Sequence, residues 1–153
     1  MSEEPADGLL ALRFVSGADD RTELADSSQR FPLRWTVPMY IDPGDPGMAF
    51  VYIQNPTGGL FAGDRLVTRL AAGPRTRVHL TTQSATKAYR MIEGEARQRI
   101  EVALGERAFV EYAPDLLIPH AGARLEQELV VDVGEGAAFI GIEIIAPGRL
   151  ARG

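Results

Sequence analysis

Cysteine is absent from this sequence, and histidine occurs only twice. With no Cys in 153 residues, the chain can form neither a disulfide nor a thiolate metal site, which fits a reducing cytoplasm. His79 and His120 lie far apart, and no His-x-His, His-Glu-x-x-His or carboxylate cluster accompanies them. Catalytic metal sites draw on several such ligands, so we expect no tightly bound cofactor. We interpret His79 as a solvated surface residue and His120 as a capping or surface residue.

Excess basic charge and long apolar runs are also missing. The chain has 16 Lys and Arg against 21 Asp and Glu, a formal net charge of -5. A nucleic-acid partner is therefore not expected, because binding phosphates needs a basic face. No apolar stretch approaches the roughly 18 residues of a membrane span, and the polar, acidic start is wrong for a signal peptide. We expect a cytoplasmic protein without a membrane partner.

No window of the sequence combines a 3.6-residue apolar period with helix caps. Alternating apolar and polar runs, separated by glycine-rich turns, indicate strands instead. Strands are predicted at residues 8–15, 48–53, 65–70, 75–82, 97–104, 107–112, 125–133 and 137–145. We therefore predict a single all-β domain over residues 1–153, with antiparallel or β-helical layered strands, long ordered loops and little helix. A sandwich, a barrel and a β-helical stack all fit this pattern.

Three segments between these strands are interpreted separately. Residues 16–30 are polar and acidic, and we predict a solvated loop there. Residues 31–39 are interrupted by Pro32 and Pro38, which predicts an edge strand or covering segment that Trp35 anchors to the core. Residues 114–124 are predicted to form a second ordered loop.

The residues show no catalytic constellation. Ser84 lacks a Gly-x-Ser-x-Gly elbow and a neighbouring base. Glu143 interrupts an otherwise apolar strand, so it either faces outward or lines a cavity. Two alternatives to the hypothesis developed below stay open. One is a carbohydrate- or small-molecule-acting β enzyme with Asp64 and Glu143 as its carboxylate pair; the other is a purely structural interaction module.

The most distinctive stretch is residues 55–66, which we call the signature loop. It reads Asn-Pro-Thr-Gly-Gly-Leu-Phe-Ala-Gly-Asp-Arg-Leu between two strand patterns. Its defining residues are Asn55, Pro56, Thr57, Gly58, Gly59, Gly63, Asp64 and Arg65. The spacing lacks the Gly-Lys-Ser/Thr ending and following helix of a phosphate loop. On physical grounds alone it is a structured hairpin loop, with Asp64 either capping turn amides or facing a cavity.

The signature loop resembles the Asn-Pro-Thr-Gly-Gly-Leu-x-Gly-Gly-Asp-Arg-Leu motif of the urease accessory protein D family (UreD, also called UreH), with Ala62 replacing one glycine. Residues 80–90 resemble the family's Leu-Thr-Thr-Gln-Ser-Ala-Thr-Lys-Val-Tyr-Arg segment, with Ala88 for valine. Residues 111–124 resemble Glu-Tyr-x-Pro-Asp-x-x-Ile-Pro-Phe-Ala-Gly-Ala-Arg, with His120 for an aromatic residue, and residues 143–153 resemble Glu-x-x-x-Pro-Gly-Arg-x-Ala-Arg-Gly. The four matches follow the family order.

The resemblance implies a non-enzymatic protein of β-helical fold that binds apo-urease and links it to the F and G accessory proteins. In such a protein nickel is in transit through an internal channel rather than bound as a cofactor. Family chains are considerably longer, so the resemblance covers their N-terminal half.

Site residues follow from the same resemblance. The implied channel-lining candidates are Asp64, Ser84, Thr86 and Glu143. The implied partner-binding candidates are Lys87, Tyr89, Arg90, His120 and Arg124. Oxygen ligands hold a first-row metal loosely, whereas His and Cys would retain it, so the channel candidates fit transit better than storage.

Overall fold

A computed structural model describes residues 6–148. The polar start at residues 1–5, and residues 149–153 at the end of the fourth family-like stretch, lie outside the described part. The strands are β1 (Gly8–Ser16), β2 (Thr22–Arg30), β3 (Arg34–Trp35), β4 (Ala49–Gln54), β5 (Arg65–Ala72), β6 (Arg77–Thr82), β7 (Thr86–Ala88), β8 (Ala96–Leu104), β9 (Phe109–Tyr112), β10 (Leu117–Pro119), β11 (Leu125–Val133) and β12 (Ala138–Gly141). Within residues 6–148, the helical structure is a 3-10 turn at Ala18–Asp20. The predicted all-β class is confirmed.

The strands form stacked coils, each crossing three faces. Parallel strands β1, β5, β8 and β11 build the first sheet, with β2 antiparallel at its edge; β4, β6, β9 and β12 build the second, with β3 at its edge. The third face comprises β7 and β10, extended by bridges from Leu60 to Ala88 and from Leu117 to Ile145. The architecture is therefore a β-solenoid, the β-helical alternative among those that the sequence left open.

The alternating patterns become rows of side chains along the solenoid axis. On the first sheet, one row runs Leu12, Leu70, Val102 and Val131, and the next runs Leu10, Thr68, Ile100 and Leu129. Members of these rows in the first three coils are buried, and each fully buried aliphatic side chain contributes about 1.5–3 kcal/mol. Stacking of like residues in register thus forms the core.

The fourth coil, β11 and β12, lies at one end of the described stack. Its inward row positions are less buried: Leu129 is 43% exposed and Val133 48%. The predicted strand over residues 137–145 is shorter in the structure, at Ala138–Gly141. Ile140, Ile142, Ile144 and Ile145 are all about half exposed. This coil presents the main apolar surface for which the described residues provide no covering layer.

The prediction of a solvated loop over residues 16–30 is wrong. Thr22–Arg30 is β2, paired antiparallel with β1. Its side chains are mostly exposed, because it is an edge strand with little packed against either face. Thr22 is the exception: it is buried, and its hydroxyl accepts the Arg77 N–H at 2.8 Å. The polar sequence of this segment therefore indicated correctly that its side chains are exposed. It did not indicate that the backbone is a loop.

The interpretation of residues 31–39 is confirmed. Arg34 and Trp35 form β3, the edge strand of the second sheet, and Met39 bridges to Phe50. Trp35 packs partly buried against the core.

No described helix is long and apolar enough to cross a membrane.

Arg77 joins two turns at one end of the second sheet. Its guanidinium donates to both carboxylate oxygens of Asp45, at 2.6 and 2.9 Å, and to Asp20 Oδ2 at 3.0 Å. Hydrogen bonding from Arg77 lowers the pKa of Asp45, and the Asp45 carboxylate raises the pKa of Arg77. This arrangement fixes the turn over residues 42–47 against the 3-10 turn.

We expect Arg77→Lys to lower the free energy of unfolding by about 1–2 kcal/mol at neutral pH, because lysine cannot reproduce a bidentate contact. Since the folded pKa of Asp45 is lowered, the pair stabilises the fold above the unfolded carboxyl pKa of about 4 and less as pH falls below it. The difference between wild type and variant should therefore shrink in urea titrations toward pH 3. A constant difference would contradict an ionic origin.

Candidate functional site

The signature loop is the first rung of the third face. Leu60, at its centre, is fully buried; its N–H donates to the Lys87 carbonyl at 2.7 Å and its carbonyl accepts the Tyr89 N–H at 3.0 Å. The flanking strands β4 and β5 belong to different sheets. The interpretation as a hairpin loop is therefore wrong, because the loop connects two faces of the solenoid.

Polar side chains fix the shape of the signature loop from within. Asn55 Oδ1 accepts the Thr57 N–H at 3.1 Å and the Thr57 hydroxyl at 2.6 Å. Gly58 and Gly63 adopt φ of 83° and 89°, a region that glycine occupies without a Cβ penalty. The loop is therefore internally hydrogen-bonded before it contacts any partner.

Asp64 closes the signature loop. Its Oδ2 accepts the Phe61 N–H at 2.8 Å, and its own N–H donates to the Phe61 carbonyl at 3.1 Å. Asp64 is half-buried at the corner between the third face and the first sheet. The geometry is that of a turn cap.

We expect Asp64→Asn to keep the stability of the fold, because the amide oxygen can accept the same Phe61 N–H. Asp64→Ala should cost roughly 0.5–2 kcal/mol through the lost cap. Thermal melts of the two variants compare these outcomes. If Asn proves as costly as Ala, the negative charge rather than the hydrogen bond stabilises the loop.

A second polar site lies at the corner where the second sheet meets the third face. Thr86 and Glu143, two of the predicted channel residues, both line it. Its other lining residues are Thr82, Gln98, Tyr112, Pro114, Asp115, Leu117, Gln127 and Ile144. The pocket volume is about 20 Å³, room for one water molecule. The predicted channel residues Asp64 and Ser84 are not among its lining residues.

Gln98 and Gln127 give this pocket its polar character. Gln98 in β8 and Gln127 in β11 are register partners. One coil earlier, the position paired with Gln98 is occupied by Leu66 of β5. Gln127 Nε2 donates to Glu143 Oε1 at 2.5 Å, so the exposed carboxylate is held at the pocket by an amide. Sequence analysis missed both glutamines. The sequence did contain a signal for Gln98. It stands two residues before Ile100, an apolar inward position, and residues two apart in a strand lie on the same face.

Tyr112 forms the buried wall of the pocket. Burial, with a smaller effect of the Glu143 charge, raises the pKa of Tyr112 to about 12. The folded chain therefore keeps the phenol protonated where the unfolded chain ionises.

This shift predicts an alkaline loss of stability. Because the folded pKa is raised from 10.0 to about 12, the contribution is present below pH 10 and lost as pH rises toward 12, reaching about 2–3 kcal/mol. Tyr112→Phe should remove this part of the pH dependence. Urea unfolding of both proteins at pH 8 and near pH 11 checks it; equal losses in both would exclude Tyr112 as the cause.

Ser84 and the histidines lie elsewhere. Ser84 is exposed, and its carbonyl accepts the Thr82 hydroxyl at 3.1 Å. The interpretation of His79 as a solvated residue is wrong: Nδ1 lies 2.9 Å from Glu111 Oε2, and the ring stacks on Phe50 with centroids 4.6 Å apart. A neighbouring strand in register supplies each of these partners. Among residues 6–148, no group of three His, Cys, Asp or Glu side chains could hold a metal ion.

Several predicted partner-binding residues come together on the outside of the third face. The Tyr89 ring lies between Phe61, stacked at 5.0 Å, and His120, edge-on at 5.1 Å. The Tyr89 hydroxyl donates to the Gly58 carbonyl at 3.3 Å. Lys87 and Arg90, the neighbours of this tyrosine in sequence, are exposed. His120 is therefore part of an aromatic stack, a role that its loop position alone did not indicate.

A broad groove of about 400 Å³ also crosses the outer face of the first sheet. Three of its charged residues pair with one another: Glu101 accepts from Arg69 Nε at 2.8 Å and from Arg99 Nε at 2.6 Å. Hydrogen bonding from Arg99, then from Arg69, lowers the pKa of Glu101. These satisfied ion pairs give the groove no clear ligand chemistry.

The described residues thus define a β-solenoid scaffold with a small polar pocket at one corner and a structured loop on its third face. A model of the UreD urease accessory protein family matches residues 6–153. The chain therefore belongs to the UreD family of urease accessory proteins.

Curated relatives agree with this assignment. Urease accessory protein UreD 2 of Streptomyces griseus subsp. griseus is 44% identical over 147 residues, 95% of this chain and 50% of the relative. UreD of Mycolicibacterium gilvum is 37% identical over 146 residues, 95% of this chain and 54% of the relative. UreD of Cenarchaeum symbiosum is 36% identical over 133 residues, which are 87% of this chain and 47% of the relative. The chain spans about half the length of the curated relatives it matches.

Proposed function

We propose that this chain acts as a non-enzymatic scaffold in urease maturation. It binds apo-urease together with the F and G accessory proteins in the cytoplasm and helps to deliver nickel to the urease active site. The observation that carries this proposal is the UreD family match over residues 6–153. The names of the relatives supply the urease connection, and the polar pocket supplies a location for the nickel path.

The chemistry of the pocket suits a cation in transit. Thr86, Gln98, Gln127 and Glu143 offer oxygen ligands, which hold a first-row metal weakly. A conduit needs sites that bind an ion well enough to admit it and weakly enough to release it. The glutamine row lies in the third and fourth coils, whereas Leu66 occupies the same row in the second coil. We therefore place the nickel path at the fourth-coil end of the solenoid.

Asp64 and Ser84 have other positions in this proposal. Asp64 is a structural cap of the signature loop, and Ser84 lies on the surface. A carboxylate pair acting on a carbohydrate would need Asp64 beside Glu143, but Asp64 does not line the pocket that contains Glu143. The scaffold therefore fits the geometry better than the enzyme.

Co-expression with urease subunits and the other accessory proteins tests the proposal. The chain should co-purify with them, and Glu143→Gln should reduce nickel-dependent urease activation while co-purification persists. Glu135→Gln is the matched control, because it removes one exposed carboxylate of the same coil outside the pocket. We expect nickel affinity of the isolated chain in the micromolar range or weaker, at most about -8 kcal/mol. Failure to co-purify, or nanomolar nickel binding, would contradict the proposal.

A further inference from the structure

Three turns stack at the corner between the third face and the first sheet. They comprise residues 61–64 of the signature loop, residues 91–95 and residues 121–124. Backbone hydrogen bonds join them: Gly63 N–H to the Glu95 carbonyl at 2.9 Å, and Met91 N–H to the Gly122 carbonyl at 3.0 Å. Three successive coils thus present one continuous surface here.

An aromatic stack borders these turns. Phe61, Tyr89 and His120 come from successive coils, and the Tyr89 ring contacts the other two rings as described above. The Phe61 side chain is 46% exposed although its ring is already stacked. An exposed aromatic platform held by its neighbours loses little side-chain entropy when a partner covers it, which is typical of interface anchors.

Basic residues surround the stack. Lys87, Arg90 and Arg124 are exposed, and their side chains form no hydrogen bond or ion pair with the residues that the structure describes. Arg90 lies over Gly122, where an added Cβ would be 3.1 Å from Arg90 Cγ. These cations occur in a chain whose formal net charge is -5.

A cleft opens beside these residues. It has a volume of about 390 Å³ and is lined by Gly63, Arg65, Gly94, Glu95, Arg97 and Arg124. Nothing lies within 4 Å of a Cβ built on Gly63 or Gly94, so the cleft is open above both glycines. Glu95 and Glu126 already engage Arg97, and Arg65 also has an interaction of its own, so Arg124 is the cleft arginine that meets an incoming anion.

We propose that this corner surface, defined by Phe61, Tyr89, His120, Lys87, Arg90 and Arg124, docks an acidic segment of a partner protein. An Asp or Glu carboxylate of that segment pairs with Arg124 at the cleft, and an apolar or proline side chain covers Phe61. The proposal rests on the scaffold function proposed above and assigns one of its binding surfaces. Three isolated cations are too few for the phosphate track of a nucleic-acid site, which favours a protein segment.

Charge reversal tests the docking surface. Arg124→Glu and Phe61→Ala are compared with Arg34→Glu and Phe31→Ala, which make the same changes at exposed positions that are not part of the corner surface. Each protein is co-expressed with the urease subunits and the F and G proteins and captured at two salt concentrations. We expect both corner variants to retain at least tenfold less of one partner, wild-type retention to fall with salt, and both controls to retain wild-type amounts. Equal thermal melts verify that the variants fold.

The outcomes separate the two proposals. If wild type captures a partner and Arg124→Glu captures as much, the docking surface is excluded while the scaffold function stands. If wild type captures none of these proteins, the scaffold function fails and the docking surface fails with it. A further test combines Arg124→Glu with a partner whose acidic residues are changed to lysine. Restored capture would confirm that the acidic segment pairs with position 124. Binding of a labelled single-stranded oligonucleotide with the same variant pattern would overturn the choice of a protein segment.

Discussion

At micromolar concentrations the chain is expected to self-associate through its fourth coil, and replacing Ile140 and Ile142 together by lysine should abolish this association. In the described part, β11 pairs only with β8 and β12 only with β9. The far edge of each strand therefore presents backbone N–H and C=O groups on which another strand can pair. The half-exposed isoleucines of this coil add apolar surface to that edge.

The two halves of this edge differ. β11 carries exposed Glu126, Glu128 and Asp132, charges of the kind that discourage pairing between strands. Residues 138–145 carry one charge, Glu143. Association should therefore proceed through the β12 side, and this is why the lysines are placed there rather than on β11.

Sedimentation velocity over a concentration series measures the effect. The matched control replaces Val37 and Ile41 by lysine; these residues are 72% and 56% exposed and lie in the segment between β3 and β4. Wild type and control should form concentration-dependent species above the monomer, whereas Ile140→Lys/Ile142→Lys should stay monomeric. A wild-type chain that is monomeric and melts cooperatively would refute the expectation, as would equal behaviour of the two double variants.

The sequence predicted strands well where one face of the strand is buried. Thr76, Val78 and Leu80 were expected on one face and are all buried, because alternation reports directly on a half-buried strand. The same signal fails at an edge strand such as β2, which has no buried face for most of its length. Local patterns report burial, and edge strands are held by backbone pairing that leaves no trace in side-chain composition.

The solenoid period was hidden by its irregularity. Residues paired between successive coils lie 28 to 32 positions apart, as Leu60 is from Ala88 and Leu66 from Gln98. Between β1 and β5 the offset grows to 58, because β2 and β3 are inserted there. Each coil requires only that apolar side chains meet in register, and corners of different length satisfy this requirement.

The candidate site could be predicted only in part for a related reason. Thr86 and Glu143 share a pocket because β7 and the end of the fourth coil meet at one corner of the solenoid, while Asp64 lies on another corner. Gln98 and Gln127 enter the same pocket through the register of β8 with β11. The four predicted channel residues, Asp64, Ser84, Thr86 and Glu143, looked equivalent in sequence. Their separation follows from the path of the chain around the three faces, which no local pattern encodes.

Gly59→Ala should be the most damaging replacement of a glycine by alanine in the signature loop. A Cβ on Gly59 would lie 2.5 Å from the Lys87 carbonyl oxygen and 2.6 Å from Tyr89 Cε2. That carbonyl accepts the Leu60 N–H at 2.7 Å, so the backbone cannot withdraw without losing a rung of the third face. We expect a cost of about 1–3 kcal/mol, typical of overpacking, and a fall of several degrees in melting temperature.

Two comparisons distinguish this steric mechanism from conformational strain. Gly63→Ala in the same loop meets no atom within 4 Å, and its cost arises only from φ of 89°, roughly 1 kcal/mol. In a Tyr89→Ala background the ring contact is gone but the Lys87 carbonyl remains, so Gly59→Ala should still destabilise the fold. If removing the Tyr89 ring cancels the cost, the aromatic stack rather than the backbone rung demands glycine at position 59. Because Leu60 anchors the signature loop through that rung, loss of the rung should also displace Phe61 and weaken partner capture in Gly59→Ala more than in Gly63→Ala.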